Sequence, residues 1–592
     1  MEGLEVTVLL GLSVLAGTLL APRLRLATPL VLLILGLLLG FVPELRRIEL
    51  PPETVLLLFL PVMLFWESLT TSLRGVRRSL RYIIPMSTLL VVASAFAVAW
   101  VATLFGLPWP AAMILGAAVA PPDATAVAAL GRLLPQRTFM KLKAESLTND
   151  GTALVLYAIA ISVALGDTVT GWSITATVLV SYLGGAIAGI VVAALAYLTL
   201  RRMRNALSIN VTLLLVPFTA FLLAELVNAS GVLAVVFAGL IIAWASPRIT
   251  TAASRRTATA AWPFGVYLLN GALFVLIGLE VQLVLHEISP SEVWGLVLLT
   301  VAAWAALLVV RYVFQLLMAP FSRPRTPALT ARSGPGSLNR ARIVSTMAGF
   351  RGAVSLAIAL SVPLTTSSGQ PLVGRDAVVF VTAGVIVLSL LVQGPLLPAI
   401  VRWAKLPSDD WAADEIELAQ RTISGAAIAA LDDIAAEHGI SDEVRERARQ
   451  DGYDMLELAN ARAFARAQAA ADADQIAQLE GMVAAPSAPD TGAQTVVDGA
   501  GPVVGLNPAA AGVDAATSLT MLAASTGIDL TQRSPLVRFE EMTRLKLALL
   551  DRKREVLLRL RREGTVDDLL ARRLEAHLDA EELRLSGYDD LD

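Results

Sequence analysis

The sequence predicts an all-α polytopic membrane protein. About thirteen transmembrane helices form inverted repeats with two broken helices, and a helical cytoplasmic tail follows. Three observations predict it. Hydrophobic residues make up 56% of the 592 and charged residues only 16%, against about a quarter charged in an ordinary soluble domain. The apolar residues come in blocks long enough to cross a bilayer, and mean hydropathy is +0.67. The blocks stop near Lys405, beyond which the chain is polar, Ala-rich and charged.

A spanning helix needs about 20 mostly apolar residues. Such blocks run over roughly 4–22, 26–42, 53–70, 80–105, 109–131, 143–166, 172–200, 207–227, 229–246, 262–285, 293–318, 343–364 and 376–401. Barrel strands would alternate and be about ten residues long, which these blocks do not. The first block lacks a basic start and a cleavage site, so it reads as a span rather than a signal peptide. Basic residues set the orientation. Loops after odd-numbered spans carry Arg23 and Arg25; Arg74, Arg77, Arg78 and Arg81; Arg132, Arg137, Lys141 and Lys143; and further clusters after the seventh, ninth and eleventh spans. Loops after even-numbered spans are nearly bare, apart from Arg46, Arg47 and Arg375. The N-terminus is therefore expected outside the cell membrane and the C-terminus in the cytoplasm, which an odd number of spans requires.

This gives a transmembrane domain over 1–405 and a cytoplasmic tail over 406–592. The tail reads as helical over about 411–481 and 534–586. Between them 484–516 is rich in Pro, Gly, Ala, Ser and Asp and reads as a disordered linker.

Composition excludes several functions. A net charge of −3 offers no basic face for a nucleic-acid partner. With no cysteine there are no disulfides, zinc–thiolate sites, iron–sulfur clusters or cysteine nucleophiles. No G-x-x-x-x-G-K-[ST] loop cradles a nucleotide. No Ser/His pair or metal triad lies in a span, so the chain is read as no enzyme and as needing no cofactor. His286, His438 and His577 all fall outside the spans, which leaves proton handling in the bilayer to carboxylates.

An ionisable residue inside a span is costly and by default a functional candidate. The candidates are Glu67, Asp123, Glu145, Asp150, Glu225, Glu280, Arg311 and Arg351. Asp123 follows Pro121-Pro122 in mid-span. Two prolines remove backbone donors, and broken helices at membrane depth survive where protein or a wet cavity satisfies them. Secondary transporters build ion sites this way. Glu145-Ser146-Leu147-Thr148-Asn149-Asp150 opens the next span. Residues four apart share a helix face, so Ser146 lies under Asp150 and Glu145 under Asn149. Two carboxylates, an amide and hydroxyls then face one side, the oxygen ligands that hard cations take. Gly349-Phe350-Arg351-Gly352 interrupts the twelfth span, seven after the one that holds Pro121-Pro122-Asp123, so those two run in opposite directions. Arg351 or Arg311 could neutralise Glu145. Glu67, Glu225 and Glu280 lie near span ends and read as structural or interfacial.

These motifs resemble the monovalent cation/proton antiporters of the bacterial NhaP and animal NHE type. The Pro-Pro-Asp break, Glu145-Ser146 with Asn149-Asp150, and Phe350-Arg351-Gly352-Ala353 stand in that family's order and spacing over roughly residues 5–405. The resemblance implies a six-helix core moving against a dimerisation domain, a homodimer in lipid, and exchange of Na+ or Li+ for H+. It implies that Asp150 is the principal cation and proton carboxylate. Asp123, Ser146 and Glu145 would be accessory Na+ ligands, with backbone from the break near Pro122 to Thr125. Asn149 matches an Asn-Asp pair found in electroneutral members, hence one-for-one exchange. The alternative within the class is a K+/H+ antiporter regulated by its tail. A channel or a receptor with a signalling tail is the rival of another class.

Overall fold

The computed structural model describes residues 2–24, 26–42, 52–123, 134, 136–166, 170–287, 289–318, 335–366, 369–405, 411–483 and 535–586. Thr125 and the expected linker 484–516 lie outside them. The regular structure of the described residues is helical, with one isolated bridge between Thr365 and Pro371. It divides into two compact units. One comprises Met1–Ala413 with Glu563–Ala580, the other Asp414–Arg562 with Glu581–Asp592.

The first unit opens with α1 (Glu2–Leu24), α2 (Thr28–Leu39), α3 (Pro52–Leu69), α4 (Leu73–Ser87), α5 (Leu89–Leu104) and α6 (Trp109–Val119). There follow α7 (Gln136–Leu165), α8 (Gly171–Leu200), α9 (Ala206–Glu225), α10 (Gly231–Ile249), α11 (Ala252–Glu287) and α12 (Pro290–Leu317). It closes with α13 (Pro335–Met347), α14 (Ala353–Leu360) and α15 (Arg375–Ala404). Among the described residues nine helices are long and apolar enough to cross a membrane, and α2, α6 and Leu58–Leu69 are shorter apolar helices. Start signals follow the sequence. Thr170 and Ser173 form a reciprocal cap on α8, and the side chains of Asn205 and Ser230 accept from the first turns of α9 and α10.

The apolar run 80–105 does not form one helix: it breaks at Thr88 between α4 and α5. Upstream of the break α4 is amphipathic, with Val76 and Ile83 buried while Arg77 is exposed. Both expected breaks are present. α6 stops at Val119, where the two prolines follow, and the backbone is non-helical from Gly349 to Gly352 between α13 and α14.

The helices sort into two packing groups. In one, α2 lies along α11, α3 on α10 and α11, and α10 on α8 and α9. Trp262 of α11 stacks on Trp66 of α3, with ring centroids 5.9 Å apart. The α2–α11 crossing is backbone to backbone: a Cβ at Gly36 would sit 2.0 Å from the Val275 carbonyl oxygen, and one at Gly278 would sit 2.1 Å from that of Leu33. Small residues permit such an approach where lipid supplies no hydrophobic drive. In the other group, α5 lies on α6 and α12, α7 on α4 and α6, and α15 on α6, α12 and α14.

The second unit holds α16 (Trp411–Ala429) from Asp414 on, α17 (Leu431–Glu437), α18 (Asp442–Val483), α19 (Pro535–Glu563) up to Arg562, and the end of α20 (Asp568–Leu585). Leu431, Ala435, Val444, Ala448 and Leu545 form its small core. The stretches expected over 411–481 and 534–586 are each interrupted. The first breaks after Ala429 and after Glu437, and the second at Gly564, whose φ of +81° suits glycine.

Candidate ion-exchange site

The two broken segments meet. Beyond Val119 the backbone leaves the helix, and the Asp123 amide donates to the Phe350 carbonyl at 2.8 Å. Carbonyls that α6 leaves free at its C-terminus need donors. Arg351 supplies one, from Nε to the Val119 oxygen at 2.5 Å, while its Nη1 bonds the Gly349 oxygen at 2.6 Å. Arg351 is 4% exposed, so its charge sits against backbone dipoles at the crossing. A Cβ on Gly352 would lie 1.5 Å from Asp123 Oδ2. Only glycine lets the second break pass this close to the carboxylate.

Helix α7 faces the crossing. Glu145, Ser146, Asn149 and Asp150 are all buried, as the shared face predicted. Asn149 Nδ2 donates to the Pro122 carbonyl at 2.8 Å and so ties α7 to the first break. Its Oδ1 is buried with no hydrogen-bond partner among the described residues. One turn on, Thr152 bonds the Ser87 carbonyl at the α4–α5 break (2.7 Å) and the Tyr182 hydroxyl (2.6 Å). Tyr182 sits in a π-helical turn of α8, Val180–Gly184, and such turns are frequent at functional sites.

The arginine left open by the sequence is resolved. Arg311 Nη1 and Nη2 engage Glu145 Oε1 and Oε2 at 2.5 and 3.1 Å. The guanidinium also bonds the Ser345 carbonyl at 3.1 Å, so the pair pins α7, α12 and the end of α13 together. A two-pronged buried pair answers both charges. Glu145 therefore faces Arg311, while Arg351 holds the break. Among the described residues no group of three or more acidic or histidine side chains is arranged to hold a metal.

One residue gains weight. Glu67 read as interfacial, yet its charge falls within interaction range of Asp123, Asp150 and Lys143. Lys143 in turn donates to Thr70 Oγ1 at 2.6 Å. No local motif marks Glu67, because the helix crossing that brings α3 to α7 is not written in its neighbours. Glu225 is exposed at the end of α9.

With this geometry in view, comparison with known proteins is decisive. Residues 10–403 match the family model described as sodium/hydrogen exchanger, transmembrane. The chain belongs to the sodium/hydrogen exchanger family. It is 36% identical to an uncharacterized Na+/H+ exchanger of Mycobacterium tuberculosis, over 98% of this chain and 96% of that one, so the likeness extends through the tail. A second uncharacterized Na+/H+ exchanger, YjcE of Escherichia coli, is 32% identical over 68% of this chain and 76% of its own. Among solved structures, the sodium proton antiporter MjNhaP1 from Methanocaldococcus jannaschii matches 68% of this chain and 99% of its own, with a TM-score of 0.53 and 18% identity. That likeness establishes the fold. Membership makes the exchanger a multi-pass membrane cation/proton antiporter, a transporter class, in agreement with the expected resemblance.

Proposed function

We propose that this exchanger swaps Na+ or Li+ for H+ one for one, with the Asp150 carboxylate binding either ion in turn. The observation that carries the reading is a crossing of two broken helices with two buried carboxylates. Asp123 is 8% exposed and Asp150 5%, and Asn149 ties the second to the first through Pro122. Burial disfavours a lone carboxylate charge and a nearby cation favours it. A proton and a metal cation therefore compete for the same negative charge. Only the occupied, neutralised carboxylate crosses an apolar barrier cheaply, which couples the two ions without ATP. Asp123, Ser146 and the Asn149 Oδ1 are the oxygen ligands that would stand beside Asp150, with backbone up to Thr125. Glu145, expected as a further Na+ ligand, has both carboxylate oxygens engaged by Arg311 and would instead fix α7 in place.

The remaining parts of the reading follow the same frame. The chain works as a homodimer in the cell membrane, with its N-terminus outside, residues 1–405 as the transporting domain and 406–592 as the cytoplasmic tail. A single mobile site that carries one charge at a time makes the exchange electroneutral. A second reading, K+ as substrate, is favoured by one relative. A Bacillus subtilis protein 29% identical over 63% of this chain is named a sodium, potassium, lithium and rubidium/H+ antiporter. Cavity size and not ligand type separates these ions.

The test uses proteoliposomes with an interior pH dye. Sodium, lithium or potassium is added outside, with and without a valinomycin clamp. A sodium response that ignores the clamp is expected, as is its loss in a folded Asp150→Asn protein. Exchange retained in that variant removes the model, and a response to potassium alone selects the second reading.

A further inference from the structure

Residues Glu563–Ala580 belong to the membrane unit, although the chain from Asp414 to Arg562 does not. The contacts that hold the segment are polar and specific. Asp568 is 2% exposed and accepts from Ser72 Oγ at 2.8 Å and from the Arg74 amide at 3.2 Å. Arg572 donates to the carbonyls of Leu69 and Thr71, the latter at 3.2 Å. Arg255 Nε and Nη2 bind the two oxygens of Asp579 at 2.7 and 2.6 Å, with Glu575 at 3.8 Å. Arg255 is braced in turn by the Thr250 carbonyl at 2.8 Å.

The positions of these contacts matter. α3 and α11 belong to one packing group and α4 to the other. The turn from Leu69 to Gly75 is where the chain passes between the groups. Arg572 gives donors to carbonyls at the end of α3, and Asp568 brings a carboxylate to the start of α4, where Ser72 also caps the Gly75 amide at 2.9 Å. Each charge matches the helix end it meets. Asp579 reaches the beginning of α11. Thr70 in the same turn receives Lys143 of α7, the helix that carries Asp150. One short helical segment thus grips both groups and the joint between them.

We propose that Glu563–Ala580 is a strap that brakes transport by fastening the two packing groups at the Leu69–Gly75 turn. The proposal rests on the antiport reading above. A site that faces the two sides of the membrane alternately requires the groups around it to shift. Contacts made to both groups hold best in one arrangement, and a contact that favours one state draws the population into it. The strap therefore slows the cycle until it lets go.

The experiment uses the full-length chain in proteoliposomes and reads the initial exchange rate. Arg255→Glu and Asp579→Arg are each expected to raise the rate several-fold, and the swapped pair to return it to the wild-type value. The natural chain has no cysteine, so Ser72→Cys with Asp568→Cys provides a lone thiol pair. Oxidation should slow that variant and reductant should release it. The pair also serves if a charge reversal impairs folding, which monodispersity in detergent would reveal. Exchange only in the released variants would be the brake in its strongest form. Exchange that ignores both reversals and the cross-link overturns the strap and leaves antiport standing. So do single reversals that slow transport and are rescued by the swap, since the segment would then be scaffold. No exchange in the wild type or in any variant overturns antiport itself.

Discussion

Glu145 with Arg311 in the membrane unit and Glu443 with Arg538 in the second unit are both arginine–carboxylate pairs with short contacts, 2.5 and 2.8 Å. Their surroundings differ. Side chains of the first pair are 1% and 3% exposed, those of the second 63% and 32%. Two unit charges at 4 Å attract by about 1 kcal/mol in water and several times more in a low-dielectric interior. Removing one charge at the surface leaves the other in water. Removing one in the interior strands its partner. The same chemistry therefore organises the membrane unit and only decorates the second.

The largest expected effect tests the buried pair. Arg311→Met leaves Glu145 without its two donors and frees the Ser345 carbonyl. A loss of about 3–5 kcal/mol is expected for a broken buried pair, read as a lowered melting temperature in detergent. Glu145→Met in the same chain should recover much of it. A single variant that melts like the wild type would break the comparison, because the interior pair would then behave like a surface one.

Gly352→Ala should come next, and it separates transport from stability. Its Cβ would lie 1.5 Å from Asp123 Oδ2, so the carboxylate or the break must move. Overpacking costs about 1–3 kcal/mol, yet a displacement of about 1 Å at a reacting group can cost on the order of a hundredfold in rate. Exchange is expected to fall by between about tenfold and that hundredfold displacement cost, in a protein that still purifies as a folded species. Unchanged exchange would mean that Asp123 need not hold its place at the crossing.

Much of this was legible in the sequence, for local reasons. The Pro121-Pro122-Asp123 break, the Glu145–Asp150 face and the glycines around Arg351 are each contained within a few residues, and helix geometry fixes what those residues share. What stayed hidden depends on distant chain segments meeting. Glu145 and Arg311 are 166 positions apart, and both arginines were equally plausible partners by type. Glu67 sits in no motif, and its approach to Asp123 follows from helix packing. The strap is hidden for the same reason: Asp568, Arg572 and Asp579 look like the other charges of a solvated tail helix until their partners are known. The break at Thr88 was masked by an apolar run that continues through it.

Competition gives a pH dependence with a definite sign. If proton and sodium share one carboxylate, lowering the pH fills the site with protons that sodium must displace, because the metal binds the deprotonated form. The half-saturating sodium concentration should rise as the pH falls, approaching about tenfold per unit once the protonated form dominates. The rate at saturating sodium on the same side should change far less. Initial rates at several sodium concentrations and pH values measure this. A half-saturating concentration that ignores pH would mean separate sites for the two ions.

The smallest effect is expected at the surface pair, and it bounds the comparison from the other side. Arg538→Ala and Glu443→Ala, alone and together, form a double-mutant cycle on one contact between α18 and α19. Exposed pairs couple by about 0.2–1 kcal/mol, and salt weakens them further. Their neighbourhood offers a sharper contrast. Glu541 on α19 is 5% exposed and accepts from Ser441 Oγ at 2.6 Å and from the Ser441 amide at 3.2 Å. Glu541→Gln keeps the shape but gives up the charge that those two donors answer, so it should destabilise the unit more than Arg538→Ala does. Chemical denaturation of the full chain, followed by a probe placed in the second unit, would rank the two. The reverse ranking would show that in this unit exposure does not decide what a charge is worth.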